Sequence, residues 1–182
     1  KSEIKDLSDD IMVSFVPMAD MNENRMDFTP KESKKLSDVF SGYTYFRNND
    51  VLVAKVTPCF ENGKAGIAKN LKNDIGFGSS EIYVLRCLKN VLPVWIYLQI
   101  TSDKFRVEGT EQMTGTGGLQ RVPKEFVSNF RIPLPIISEQ QQIVTRIEQE
   151  QQLVNANKEL IKIYEQKIKD EINKLWQTEP TK

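Results

Sequence analysis

The chain has 182 residues, 39% of them hydrophobic, with 25 basic and 25 acidic side chains and no histidine. That is enough for one domain of ordinary size plus an appendage, and the balanced charge excludes nucleic-acid binding through a bulk basic excess, though not through a local basic face. The missing histidine excludes Ser-His-Asp and Cys-His catalysis, the HExxH zinc site and the commonest general base near neutral pH.

Mean hydropathy is -0.45, and no apolar run approaches the roughly 18 residues of a membrane span. The opening "KSEIKDLSDD" lacks the apolar stretch of a signal peptide. A soluble, cytoplasmic protein is expected. Cys59 and Cys87 stand alone without CxxC spacing, which argues against zinc and against a disulfide scaffold and predicts buried, reduced thiols.

In chain order, a first strand runs from Met12 to Val16 and stops at Pro17. "KKLSDV" fits either one helical turn or an extended linker. "NND" opens a buried strand from Val51 to Val56, and Asn62-Gly63 is a tight-turn signal between strands. A further strand carries Ile82, Val84 and Cys87. After Pro93, apolar residues at Val94, Trp95, Leu98 and Phe105 predict a helix. A glycine-rich loop, Thr114 to Gly118, then leads to a strand "LQRV", a short turn from Pro123 to Val127, and a last strand "FRIPLP" whose Pro133 marks an edge. To residue 137 the expected class is α+β, rich in short strands.

From Ser138 the texture changes. "SEQQ" has the S-x-x-Q spacing of a capping box, in which the Ser138 hydroxyl accepts from the Gln141 N–H. No glycine or proline interrupts the chain from Ser138 to Trp176, and apolar residues recur at Ile143, Ile147, Val154, Ile161, Tyr164 or Ile168, Ile172 and Leu175, with Leu153, Leu160 and Ile163 widening the stripe. About 39 residues at ~1.5 Å each predict a rod of roughly 58 Å. Such a rod outruns a domain of this size, so its apolar stripe needs a second surface, most simply an antiparallel helix in a coiled coil. The alternatives are a helix folded back on its own domain or broken near "EQEQQ". The expected organisation is thus a domain over 1–137, a long helix over 138–177 and a polar tail over 178–182.

The chemistry-bearing residues gather at turns. "GTGG" (115–118) and "GFGS" (76–79) match no dinucleotide or P-loop pattern; they read as plain turns or as loops that let backbone N–H groups approach a phosphate or base edge. Lys55, Thr57, Asn62 and Lys64 flank one turn, Ser79 and Ser80 another, and Thr114, Thr116, Gln120 and Arg121 a third. These are the donors and bidentate groups that grip phosphates and read base edges. From Thr44 to Lys72 five basic residues, Arg47, Lys55, Lys64, Lys69 and Lys72, face two acidic ones, Asp50 and Glu61. Glu61 and Glu81, without histidine or a D-x-D cluster, read as solvated carboxylates, and no cofactor, metal or reaction centre is predicted.

Four stretches, "NDVLVAKVTPCFENGKAGIAKNL", "IGFGSSEIYVLR", "GTGGLQRVPKEFVSNFRIPLPIISEQQQIVTRIE" and the helix after them, resemble a specificity subunit of a Type I restriction-modification system. The resemblance spans about residue 40 to 176, and its most specific part is the glycine–Gln–Arg loop, PLP segment and E-Q-x-x-I helix start in succession. It implies one target recognition domain followed by its helical spacer. Such subunits are non-catalytic; they read double-stranded DNA, hold methyltransferase subunits and, through them, join restriction subunits. Two recognition domains usually read a split target, with the antiparallel helices as the ruler between them, and base contacts would flank a modified base that leaves the stack.

On this resemblance Lys55, Thr57, Asn62, Lys64, Ser79, Ser80, Thr116, Gly117, Gln120 and Arg121 are the expected DNA contacts, and Ile143, Ile147, Val154, Ile161, Ile168, Ile172 and Leu175 the expected pairing face. Only one recognition domain and one helix are present, and the tryptophan-containing segment expected before the first strand has no counterpart in "KSEIKDLSDD". The expectation is a half subunit or a fragment, pairing as a homodimer. The alternative is a coiled-coil interaction adaptor without DNA affinity.

Overall fold

The structure is a computed structural model and describes residues 1–23, 25–116 and 118–177. It divides into two compact units, Lys1–Gln140 and Gln141–Lys182. In the first unit a four-stranded sheet has the order β2-β1-β6-β3 and a three-stranded sheet the order β5-β4-β7. The strands are β1 (Met12–Val16), β2 (Glu32–Lys35), β3 (Thr44–Arg47), β4 (Val51–Ala54), β5 (Ala65–Ile67), β6 (Ile75–Gly78) and β7 (Ile82–Leu85). β1 runs parallel to β6; the other pairings are antiparallel. "KKLSDV" resolves into the end of β2 and a single helical turn, α1 (Leu36–Val39).

Three hydrophobic layers hold this unit together, and strand alternation assigns residues to them. On the outer face of the first sheet, Ile75 and Phe77 pack with Ile4, Val13, Phe15, Leu36 and Val39. Val16, Phe46, Leu52, Ala68 and Ile82 make the second layer. In β4, Val51 and Val53 point the other way, into a layer with Tyr97, Ile100, Phe105 and Phe126. Because β4 is buried on both faces, its sequence is the uninterrupted "VLVA".

β6 corrects the reading of "GFGS" as a loop. Gly76 and Gly78 lie inside a fully buried strand, where a Cβ on Gly76 would overlap the ring of Phe46, itself 0% exposed. Gly76 makes room for a core aromatic and Gly78 for the Val16 carbonyl; neither lies in a loop that could cradle an anion. Gly76→Ala should therefore destabilise by about 1–3 kcal/mol through overpacking, against the usual benefit of Ala over Gly in a strand. A urea midpoint at or above the parent's would contradict this packing.

The second half of the unit departs from expectation at three places. The helix after Pro93 is two helices, α2 (Pro93–Ile100) and α3 (Asp103–Glu111). Ser102 separates them as an N-cap whose hydroxyl accepts from the Phe105 N–H, so a local side-chain bond outcompetes continuation of α2. Pro123 to Val127 is not a turn but the start of α4 (Lys124–Asn129), with Pro123 at its N-cap. "FRIPLP" pairs with no strand among the described residues. Pro133 and Pro135 carry no N–H for a ladder, and the free carbonyls serve side chains instead: Pro133 O accepts from Trp95 Nε1 at 3.0 Å and Pro135 O from Gln140 Nε2 at 2.8 Å.

The long helix is α5 (Ile137–Gln177), 41 residues without a break at "EQEQQ". Its first turn closes on Ile136 O, which accepts from the Glu139 and Gln140 N–H groups. The expected capping box is replaced by another device: the Gln141 amide lies on Thr145 Oγ1 at 3.4 Å, and the fully buried Gln140 anchors the start. Its Oε1 accepts from Leu92 N at 3.0 Å, and its Nε2 donates to Asn90 O and Pro135 O. Along the helix Ile143, Ile147, Leu153, Val154, Leu160, Ile161, Ile163, Tyr164, Ile168, Ile172, Leu175 and Trp176 are all exposed. The tail 178–182 and Gly117 lie outside the described residues. No described helix is long and apolar enough to cross a membrane.

Candidate nucleic-acid interface

The glycine-rich "loop" is largely a hairpin. β8 (Thr114–Thr116) and β9 (Leu119–Arg121) pair antiparallel, with Thr116 opposite Leu119 and Thr114 opposite Arg121. Gly118 helps turn the chain at φ +76°, a left-handed conformation that favours glycine. Thr114, Thr116 and Gln120 are exposed, so hydroxyls and an amide stand outward where β-branched apolar residues would usually face a core.

The base of the hairpin is tied into the chain leaving β4. Val56 bridges Arg121 antiparallel; Thr57 N donates to Gln120 O at 3.0 Å, and Val122 N to Lys55 O at 2.8 Å. On its other side Lys55 N donates to Glu81 O at 3.0 Å, while Ser79 Oγ accepts from Glu81 N at 3.1 Å. Lys55, Thr57, Ser79, Gln120 and Arg121 thus share one hydrogen-bonded edge, with Ser80 exposed beside Ser79. Lys55 Nζ lies 5.1 Å from the Tyr83 ring centroid, a cation–π contact that leaves the ammonium partly open. Thr57 Oγ1 donates weakly to Met113 Sδ at 3.9 Å.

Lys64 lies beside the end of β4, its carbonyl accepting from Ala54 N at 3.0 Å, but the side chains of Asn62 and Lys64 bond elsewhere. Asn62 Nδ2 donates to Glu23 Oε1 at 3.1 Å, Lys64 Nζ to Met18 O at 3.3 Å, and Lys64 bridges Glu23. The turn through Pro58–Gly63 brings Lys64 back beside the end of β4 and directs the Asn62 and Lys64 side chains toward Glu23 and Met18. Gly117 cannot be placed, lying outside the described residues. The local basic excess also dissolves in part: Arg47 Nη1 donates to Glu3 Oε2 at 3.0 Å.

Neither of the two carboxylates expected to be solvated is fully so. Glu61 Oε2 is buried without a hydrogen-bond partner among the described residues. Glu81 takes Arg121 bidentately, Nε to Oε2 at 2.8 Å and Nη2 to Oε1 at 2.9 Å. The Arg121 hydrogen bonds hold the Glu81 carboxyl below its ordinary value of 4.5, burial opposes the shift, and Lys55 adds a smaller lowering. Because the folded value is depressed, the pair's contribution is fully present above the ordinary carboxylate range and fades as pH falls through the folded value. The side chains are 43% and 28% exposed, so this contribution to stability is small. The cysteines, expected buried, are half-buried and free; burial pushes the Cys87 thiol up.

The arrangement offers an exposed polar hairpin on a rigid base, with an arginine, a lysine and several hydroxyls along one edge. The sequence profile of the Type I restriction modification DNA specificity domain matches residues 1–172. Over 146 residues the chain is 42% identical to the Type I restriction enzyme EcoAI specificity subunit of Escherichia coli, covering 79% of this chain and 25% of that protein. It is 41% identical over 145 residues to the EcoEI specificity subunit of the same organism, covering 79% and 24%. The chain therefore spans about a quarter of the length of these relatives.

Among solved structures, the HsdS subunit from Thermoanaerobacter tengcongensis superposes with a TM-score of 0.69 at 20% identity, over 84% of this chain and 39% of that one. A chain from a study of complex assembly and conformational transition in the type I R-M system gives 0.60 at 21% identity, over 90% and 36%. At these identities the likeness shows the fold alone. The profile match over nearly the whole chain carries the assignment: this protein belongs to the Type I restriction modification DNA specificity domain family.

Proposed function

We propose that this chain is a DNA-reading part of a Type I restriction-modification complex. The 1–137 segment reads one half of a two-part target in double-stranded DNA, and the helix over 138–177 serves as spacer and pairing element. Methyltransferase subunits dock on it, and restriction subunits join through them; the chain has no chemistry of its own. The observation that carries the reading is the convergence of donors from three separated segments, at Lys55 and Thr57, Ser79 and Ser80, and Gln120 and Arg121, along one edge below an exposed hairpin. Rigid strands holding loop-borne donors are what sequence readout requires.

A gel-shift series with a random-sequence duplex at increasing salt tests the reading. Phosphate contacts release counterions, so log affinity should fall linearly with log salt with a slope of several units. A flat response would sink it and leave the adaptor reading in its place. Co-purification of a methyltransferase, with mapping of the modified genomic sites, would give the half-target.

A further inference from the structure

Resting on the DNA-reading function, we propose that Glu81 is a positioning residue that sets Arg121 as a guanine reader, so that the pair and not the arginine alone determines one base of the target. A guanidinium has five N–H donors on two usable edges. In this structure the side edge, Nε and one Nη2 hydrogen, is filled by both oxygens of Glu81. The end edge, Nη1 and the second Nη2 hydrogen, meets no other group among the described residues, and the Arg121 side chain is 43% exposed. Two parallel donors on a planar end edge match the O6 and N7 acceptors of guanine in the major groove, whereas adenine and cytosine present an amino donor against them.

Both partners are held by backbone bonds on either side. The Glu81 N–H goes to Ser79 Oγ and its carbonyl accepts from Lys55 N. Arg121 sits between Gln120 O and Val122 N, bonded to Thr57 N and Lys55 O respectively, and bridges Val56. Tyr83 OH donates to Val122 O at 2.9 Å and braces the same corner. The plane of the guanidinium is therefore set before DNA arrives, which avoids the ordering cost of a free arginine.

Charge separates this role from a phosphate clamp. A carboxylate 2.8 Å from the arginine cancels most of its attraction for a phosphate. It leaves intact the directional hydrogen bonds to a neutral base edge. Glu81 itself then repels phosphates, so the pair costs general affinity and is useful only if it gains discrimination. This follows the general pattern in which specificity needs a repulsive element beside the attractive one.

The test is selection from a randomised duplex library by the full chain, comparing wild type with Glu81→Gln and Arg121→Lys. Wild type should enrich guanine at one position. Glu81→Gln should lower that preference about tenfold, leave the other positions unchanged, and raise binding to unselected duplex with a salt slope steeper by about one, because the freed arginine turns to phosphate. Arg121→Lys should lose the same guanine preference while keeping charge. A merely structural role would instead weaken all positions together. Unchanged guanine enrichment in Glu81→Gln, or an equal loss at every position, overturns the proposal while DNA reading stands. A wild-type chain that enriches no sequence overturns DNA reading itself.

Discussion

Asp50→Ala is expected to lower the unfolding free energy by about 3–5 kcal/mol, towards the lower end because Arg86 can recover some water. Asp50 is 1% exposed, between β3 and β4. Its Oδ1 accepts from Arg86 Nε at 2.8 Å, and its Oδ2 from Arg86 Nη2 at 2.8 Å and from the Arg47 N–H at 2.9 Å. Removing the carboxylate leaves the Arg86 guanidinium, 38% exposed, with Glu3 as its remaining acceptor among the described residues, and the Arg47 N–H without its acceptor. Arg86 also donates to Glu3, which accepts from Tyr45 OH and Arg47 as well, so one buried acid links the amino-terminal turn, β3 and β7. Folded domains hold roughly 5–15 kcal/mol in all, so the loss should be plain in a urea titration and should exceed that of Glu3→Ala, whose carboxylate already faces water. A midpoint within experimental error of the parent would mean that the network adds nothing beyond solvation.

That network shows where sequence reading stops. In the sequence Asp50 is one of two acids in a basic stretch and the last residue of the "NND" turn, and nothing local reveals that it is buried or that Arg86, 36 positions on, fills it. The same limit hides Glu81 and Arg121, 40 positions apart: spacing along a chain does not encode pairing across strands. What was legible had a short-range cause. β1 and β4 announce themselves as apolar runs bounded by Pro17 and "NND", and α5 by an apolar period kept over forty residues without a helix breaker. The misreadings arise where one residue type has two physical uses. Glycine serves the turn at Gly118 by its positive φ, and β6 at Gly76 by its missing side chain. Proline in "FRIPLP" looked like a strand edge, but its carbonyls are used by Trp95 and Gln140. Of the candidate site, turn chemistry names three clusters, and only the fold shows that the Asn62 and Lys64 side chains bond to Glu23 and Met18.

Charging the helix seam is expected to separate two copies of the chain. Ile147, Val154, Ile161, Ile168 and Leu175 recur every seven residues on α5, and the described members of this row are 37–74% exposed in the single chain. In a pair of copies, sustained seven-residue spacing would keep this face toward the partner helix, and the polar residues three positions on, Glu150, Asn157 and Glu171, would make such a seam selective about register. Burying an isoleucine contributes about 1.5–3 kcal/mol, and each substitution occurs twice in a symmetric pair. Ile161→Lys should therefore cost roughly 3–6 kcal/mol of association, about a hundredfold to ten-thousandfold in dimer Kd, and Ile161→Lys with Ile168→Lys should leave only monomer in sedimentation at tens of micromolar. The first unit should keep its melting transition, because its three apolar layers lie among residues 4–126. If the parent chain already sediments as a monomer at that concentration, its helix has no partner in a second copy, and the spacing between two reading domains would have to come from another helix.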